Sequence, residues 1–146
     1  MSNEKHIGAR DEYRYFIPIT TRWHDNDIYG HVNNVTYYSY FDSVANHYLI
    51  HEGKLDIHHG DTIGLVVNSG CSYHAALAFP DELEGALRIN RLGNSSVEYG
   101  IAIFKKGEKK AAAEGHFVHV FVNRDTRRPT SMPETLRQAL KNILTA

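Results

Sequence analysis

An α+β architecture is predicted: an antiparallel sheet of about five strands wrapped around one long central helix, with a short C-terminal helix. Three observations predict it. A strand-like run comes first, a strongly apolar helical stretch follows it, and four extended segments with turn-forming links come next. The chain has 146 residues, which fits one domain over residues 1–146 with a core at about 13–143.

In the first element, Tyr13, Tyr15, Ile17, Ile19 and Trp23 alternate with Phe16, Pro18, Thr20 and Arg22. This is a strand pattern, and Pro18, which lacks an N–H, points to a sheet edge. The ten residues "DNDIYGHVNN" (25–34) then pack acids, a glycine, a histidine and asparagines into one junction. Val35, Tyr38, Phe41, Ala45, Tyr48 and Leu49 recur at helical spacing, predicting about four turns that close at Gly53, with Asn33 or Asn34 as the N-cap. Tyr37, Tyr40 and Val44 extend the apolar stripe nearly all round, so other elements must wrap this helix.

Four strands are expected at 63–75, 83–92, 96–104 and 112–123, joined as hairpins through "FPDE", "LGNS" and "KKGEKK". Leu83, Gly85, Leu87, Ile89 and Arg91 show a period of two. Ser131 and Glu134 have the spacing of a capping box, with Pro133 in the first turn of a final helix that presents Leu136, Leu140, Ile143 and Leu144. Outer strands of such a sheet leave unpaired amides and carbonyls, so pairing with a second copy is expected.

Composition narrows the function. The formal net charge of −1 gives no global attraction to nucleic acid or to an anionic membrane. No window approaches the roughly 18 apolar residues of a membrane span, the N-terminal stretch lacks a signal-peptide pattern, and the one cysteine, Cys71, makes an intrachain disulfide impossible. A cytoplasmic protein is the expectation.

"RWHDNDIYGHVNNVTYYSYF" from Arg22 resembles the D-x-D-x-x-G-H-V-N-N-x-x-Y signature of hotdog-fold acyl-CoA thioesterases of the 4-hydroxybenzoyl-CoA thioesterase class. "LGNSSV" at 92–97 and "RRPTSMPE" before the last helix also look like that group. The resemblance implies hydrolysis of a thioester between a fatty or aromatic acyl group and coenzyme A, in a homodimer or homotetramer. No cofactor is implied. It also implies that Asp27, the second acid of the signature, is the catalytic carboxylate.

The residues supply a chemical reason of their own. Thioester hydrolysis needs a nucleophile or base near the carbonyl carbon and donors where negative charge develops. The first amides of a helix have no intrahelical partner, and the helix dipole favours anions there. Asp27 would act from the loop while amides at about Asn34 and Val35 polarise the carbonyl. The residues leave attack by Asp27 and activation of water by Asp27 both open.

Asp25 is read as ordering the loop, Gly30 as supplying a backbone angle and room for close approach, and His31 as supporting the loop or the chemistry. Asn33 is read as a cap. Tyr37, Tyr38 and Phe41 are candidate acyl walls, and Ser95, Ser96 and Arg128 candidate contacts to the pantetheine or phosphates. Arg88, Arg91, Lys105, Lys106, Lys109, Lys110, Arg124 and Arg127 complete the cationic candidates.

Competing chemistries fit less well. His24, Asp25, Asp27 and His31 are competent metal ligands, but neither H-E-x-x-H nor a paired-cysteine motif occurs, and no metal is expected. Cys71 and His74, three apart in a strand, point to opposite faces, and G-x-S-x-G is absent. Two other classes stay open: a protein that binds acyl-CoA or acyl carrier protein without hydrolysis, and a hotdog dehydratase acting on hydroxyacyl thioesters.

Overall fold

A computed structural model describes residues 6–145; the outermost residues of the expected 1–146 domain, 1–5 and 146, lie outside the described residues. The element order is β1 (Tyr15–Thr20), α1 (Asn34–His51), β2 (Thr62–Tyr73), β3 (Glu82–Leu92), β4 (Ser96–Lys105), β5 (Ala113–Asn123) and α2 (Glu134–Asn142). The strands form one antiparallel sheet in the order β1-β3-β4-β5-β2, with α1 packed on β3 and β4. This is the expected hotdog arrangement.

β1 lies at an edge, as Pro18 indicates, and its side chains alternate with the expected phase. It ends at Thr20, however, and Trp23 sits exposed in a short 3-10 turn at 23–25, with its ring edge-on to Phe79. The strand period does not survive the turn. Of the three predicted hairpins, β3–β4 and β4–β5 form. The "FPDE" link is not a hairpin, because β2 pairs with β5 at the far edge and β3 pairs with β1 and β4. Arg91 leaves the core set through a register shift between Ile89 and Arg91, which turns it outward.

α1 runs 18 residues, about 27 Å. Its buried stripe is Tyr37, Tyr40, Phe41, Val44, Ala45, Tyr48 and Leu49. Val35, expected inside, is 72% exposed, and Asp42, Ser43 and His51 also face outward. The helix is therefore covered on one side only. Two glycines let it sit close to the sheet: a Cβ on Gly85 would lie 2.3 Å from Val44, and one on Gly115 2.5 Å from the Phe41 ring. Full burial of side chains such as Phe41, Leu49 and Ile101 contributes roughly 1.5–3 kcal/mol each before the cost of ordering them.

The outer face of the sheet carries a smaller cluster of Tyr13, Ala86, Ala102, Phe104 and Ala111. The segment before β1 is tied to that face through Glu114, which accepts from the Gly8 amide at 2.9 Å, the Tyr13 hydroxyl at 2.9 Å and His74 at 3.1 Å. The predicted capping box does not form. Pro133 is the N-cap of α2 without a side-chain bond, and the Ser131 hydroxyl instead lies 3.4 Å from Asn94. Tertiary contacts hold α2 in its place: Arg137 donates to the Gly93 carbonyl and the Tyr48 hydroxyl to that of Ala139. Leu144 is partly exposed where the chain end pairs with Ile89.

His119 is enclosed in the core with its Nδ1 3.0 Å from the Tyr99 hydroxyl. Burial pushes its imidazole from an ordinary 6.5 down to about 4. The unfolded chain takes up this proton first, so stability present above about pH 6.5 is lost as the pH falls toward 4. The loss is expected to be on the order of 3 kcal/mol. Denaturant melts between pH 7 and 4 are expected to show it, and His119→Gln should flatten that slope; parallel slopes in both proteins would exclude His119 as the cause.

Candidate functional site

The junction between β1 and α1 is organised by Asp25, which is 1% exposed. Its carboxylate accepts from the Tyr40 hydroxyl at 2.7 Å, the Arg22 amide at 2.9 Å and the Arg22 guanidinium at 3.2 and 3.3 Å. Its carbonyl accepts the Asn33 amide at 2.8 Å. Burial alone works to raise the carboxyl pKa, but the bonds from Tyr40 and Arg22 outweigh it and hold the group below its ordinary value. Burial and the Asp25 bond together keep the Tyr40 phenol protonated. The expected ordering role of Asp25 thus has a definite set of partners.

Asp27 closes the turn that follows. Its Oδ1 accepts from the Tyr29 amide at 2.8 Å and the His31 amide at 3.4 Å, while its own amide donates to the His31 carbonyl at 2.8 Å. Gly30 sits at φ +84°, a conformation that strains any side chain, and donates to the Asp27 carbonyl. Oδ2 of Asp27 has no hydrogen bond among the described residues. One oxygen therefore braces the turn, and the other is left without a donor among the described residues.

The start of α1 lies beside it. Asn33 is the N-cap and its Oδ1 accepts the Val35 amide at 3.0 Å. That bond occupies one of the two amides expected to polarise a carbonyl. The Asn34 amide has no partner among the described residues, so it is the donor left at this helix end.

Asp27, His31, Asn33, Asn34 and Tyr37 together line a cleft of roughly 1030 Å³. Most of the signature residues thus converge, while Asp25, Gly30 and the wall candidates Tyr38 and Phe41 lie outside the lining. A Cβ on Gly30 would have nothing within 4 Å, and Gly30 lies outside the lining, so its positive φ is the feature here that favours glycine. Tyr38 faces the sheet, stacked on Phe117 at 6.2 Å and 16°, and is packing, not a cleft wall. Ser95, Ser96 and Arg128 are not brought to the cleft within one chain. Ser96 pairs opposite Val120, toward the Thr62 end of β2, whereas the cleft lies at the Tyr73 end.

Several lining residues carried no signal. Tyr73, Ala75 and Ala76 enter from the end of β2, placed there by strand pairing. Ile28 and Tyr29 could have been found, because an apolar pair inside a polar loop is out of place; Ile28 is 93% exposed beside the cleft. His74 also lines the cleft, but its Nε2 is engaged by Glu114. Burial raises the Cys71 thiol, which keeps it in the less reactive protonated form. Of the cations, Lys105 and Lys106 pair with Asp81 and Glu82, Arg88 bonds Asn90, and Arg124 bonds the Gly60 and Ile57 carbonyls. Among the described residues no three His, Cys, Asp or Glu side chains gather as a metal site would require, and no helix is long and apolar enough to cross a membrane.

The chain matches the thioesterase-like superfamily over residues 21–140. Its fold closely follows the crystal structure of the PA5185 protein from Pseudomonas aeruginosa PAO1, with a TM-score of 0.95 and 55% identity over 97% of this chain and 99% of that one. Slr0204 from Synechocystis, a 1,4-dihydroxy-2-naphthoyl-CoA thioesterase, shares the fold at a TM-score of 0.79 and 16% identity, covering 88% of this chain and 96% of that one. The protein YsmA of Bacillus subtilis (strain 168) is 27% identical over 90 residues, which is 60% of this chain. That match spans 59% of the relative's own length.

Asp25→Asn is expected to lower stability by about 1–3 kcal/mol, because it discharges a buried acceptor of several bonds, and Tyr40→Phe by about 1 kcal/mol. A carboxylate whose pKa is depressed by folding contributes above its ordinary 3.8 and loses that contribution as the pH falls further. Thermal melts should therefore separate Asp25→Asn from the unaltered protein at pH 7 and bring the two together in strong acid. A gap unchanged at low pH would mean that the charge of Asp25 contributes nothing.

Proposed function

Because the chain belongs to the thioesterase-like superfamily, we propose that it hydrolyses acyl-CoA thioesters to the free acid and coenzyme A. The observation that carries this reading is the meeting of a carboxylate oxygen of Asp27 and the unpartnered Asn34 amide on one cleft at the start of α1. With the thioester carbonyl oxygen at the Asn34 amide, negative charge develops where the helix dipole and a free N–H favour it. Asp27 then attacks the carbonyl carbon or takes a proton from the water that does. His31 holds the turn through its backbone, and Asn33 directs the amides as the cap.

The acting unit in this proposal is a homodimer. β2 lies at a sheet edge, and Leu65, Val66 and Val67 on it are exposed. Apolar side chains on an unpaired edge fit pairing with a second copy. Antiparallel pairing of two β2 strands would set the Thr62 end of one sheet beside the Tyr73 end of the other, which offers Ser95, Ser96 and Arg128 a route to the opposite cleft. Light scattering is expected to report at least twice the 16.6 kDa chain mass, and a monomer at micromolar concentration would reject the pairing.

Asp27→Asn keeps the size of the side chain and removes its charge. It is expected to cut kcat by on the order of 10²-fold or more with little change in KM, as for an interaction used mainly in the transition state. Thiol release from short, long and aromatic acyl-CoAs measures this. Near-normal turnover by the variant would remove Asp27 from the chemistry. Tight acyl-CoA binding without thiol release would favour a binding protein, and enoyl absorbance would favour a dehydratase.

A further inference from the structure

We infer that the cleft admits only a compact acyl group, a short chain or a single ring, and that Tyr37 and Tyr73 form the wall that sets this limit. The inference rests on the thioesterase reading above. A carbonyl held between Asp27 and the Asn34 amide directs its acyl carbons at Tyr37, which follows Asn34 by three residues and so shares its helix face. Tyr37 is 4% exposed, and its ring meets that of Tyr73 from β2 edge to face, 5.0 Å apart at 80°. The pair spans the gap between α1 and the sheet edge.

Behind this wall the seam under α1 is filled. Phe41 is wholly buried, packs edge-on to Phe117 at 5.7 Å, and occupies the space that a Cβ on Gly115 would need. Tyr38 lies flat on Phe117 and meets the Phe41 ring edge to face at 6.0 Å, so the three rings close on one another. One turn further on, Val44 fills the place of a side chain at Gly85. Among the described residues, packing this tight closes the seam beneath α1 to a run of methylenes, and opening it would expose well-packed rings.

The wall is also polar at its tip. The Tyr37 hydroxyl has no hydrogen bond among the described residues, yet no buried polar side-chain atom there lacks a partner, so this hydroxyl reaches the water of the cleft it lines. Burial keeps both phenols protonated, each pushed up to about 12. A long hydrocarbon tail pressed against the Tyr37 hydroxyl would strip its water and return no bond, whereas a short acyl group leaves that water in place.

The test is kcat/KM of the full chain for acetyl-, butyryl-, hexanoyl-, benzoyl-, lauroyl- and palmitoyl-CoA, with Kd for the same series measured by calorimetry on Asp27→Asn. The unaltered enzyme is expected to lose about tenfold or more between hexanoyl or benzoyl and palmitoyl, within the range that a few methylenes can command. Tyr73→Ala, checked by light scattering and thermal melt for unchanged assembly and folding, should recover most of that loss on lauroyl-CoA; Tyr73→Phe should keep the limit. Palmitoyl-CoA used as well as hexanoyl-CoA would overturn the inference, and parallel profiles for Tyr73→Ala and the unaltered protein would overturn the role of the wall. If no thioester is hydrolysed the hydrolase reading fails separately, and the Kd series still decides the size limit.

Discussion

The buried carboxylate of Asp25 is the interaction on which the site depends. A negative group removed from water is tolerable only when its lone pairs are met, and here the Tyr40 hydroxyl and two parts of Arg22 meet them. Tyr40 stands on α1 and Arg22 at the end of the β1 segment, so one side chain fastens the strand exit to the helix. The Asp25 carbonyl adds the Asn33 amide, which sets the N-cap. Asp27, two residues on, is thereby held next to the helix terminus instead of swinging with the loop.

Helix seating is the second constraint. Gly85 and Gly115 let Val44 and Phe41 press to the sheet backbone, which brings α1 close and fills the seam beneath it. The same closeness leaves a cleft at the end of the helix where the polar loop arrives. A cleft at the α1 N-terminus and a closed seam behind it are therefore two results of one packing arrangement. The loop supplies hydrogen-bonding groups at this end of the core.

Much of the site was legible because its residues are neighbours in the chain. Asp25, Asp27, Asn33 and Asn34 lie within ten positions, and a helix terminus has fixed needs that their side chains meet. Tyr73 was not legible, since it reaches Tyr37 only through the pairing of β2 with β5 across the sheet. Tyr38 and Tyr37 look alike in the sequence; a rotation of one residue about the helix axis puts one on Phe117 and the other in the cleft. The unused capping box at Ser131 shows a local preference yielding to contacts from Asn94 and Arg137.

By itself, the sequence determined the order of elements, the phase of β1, the position of the polar junction and the helix that follows it, because side-chain period and capping chemistry act over a few residues. Tertiary structure alone decided that β2 crosses to the far edge, which face of α1 is buried, and which of the two candidate amides stays free. These depend on strand register, on glycines opposite the helix and on which side chain takes each hydrogen bond. Such choices are made between residues far apart in the chain, where local pattern exerts no force.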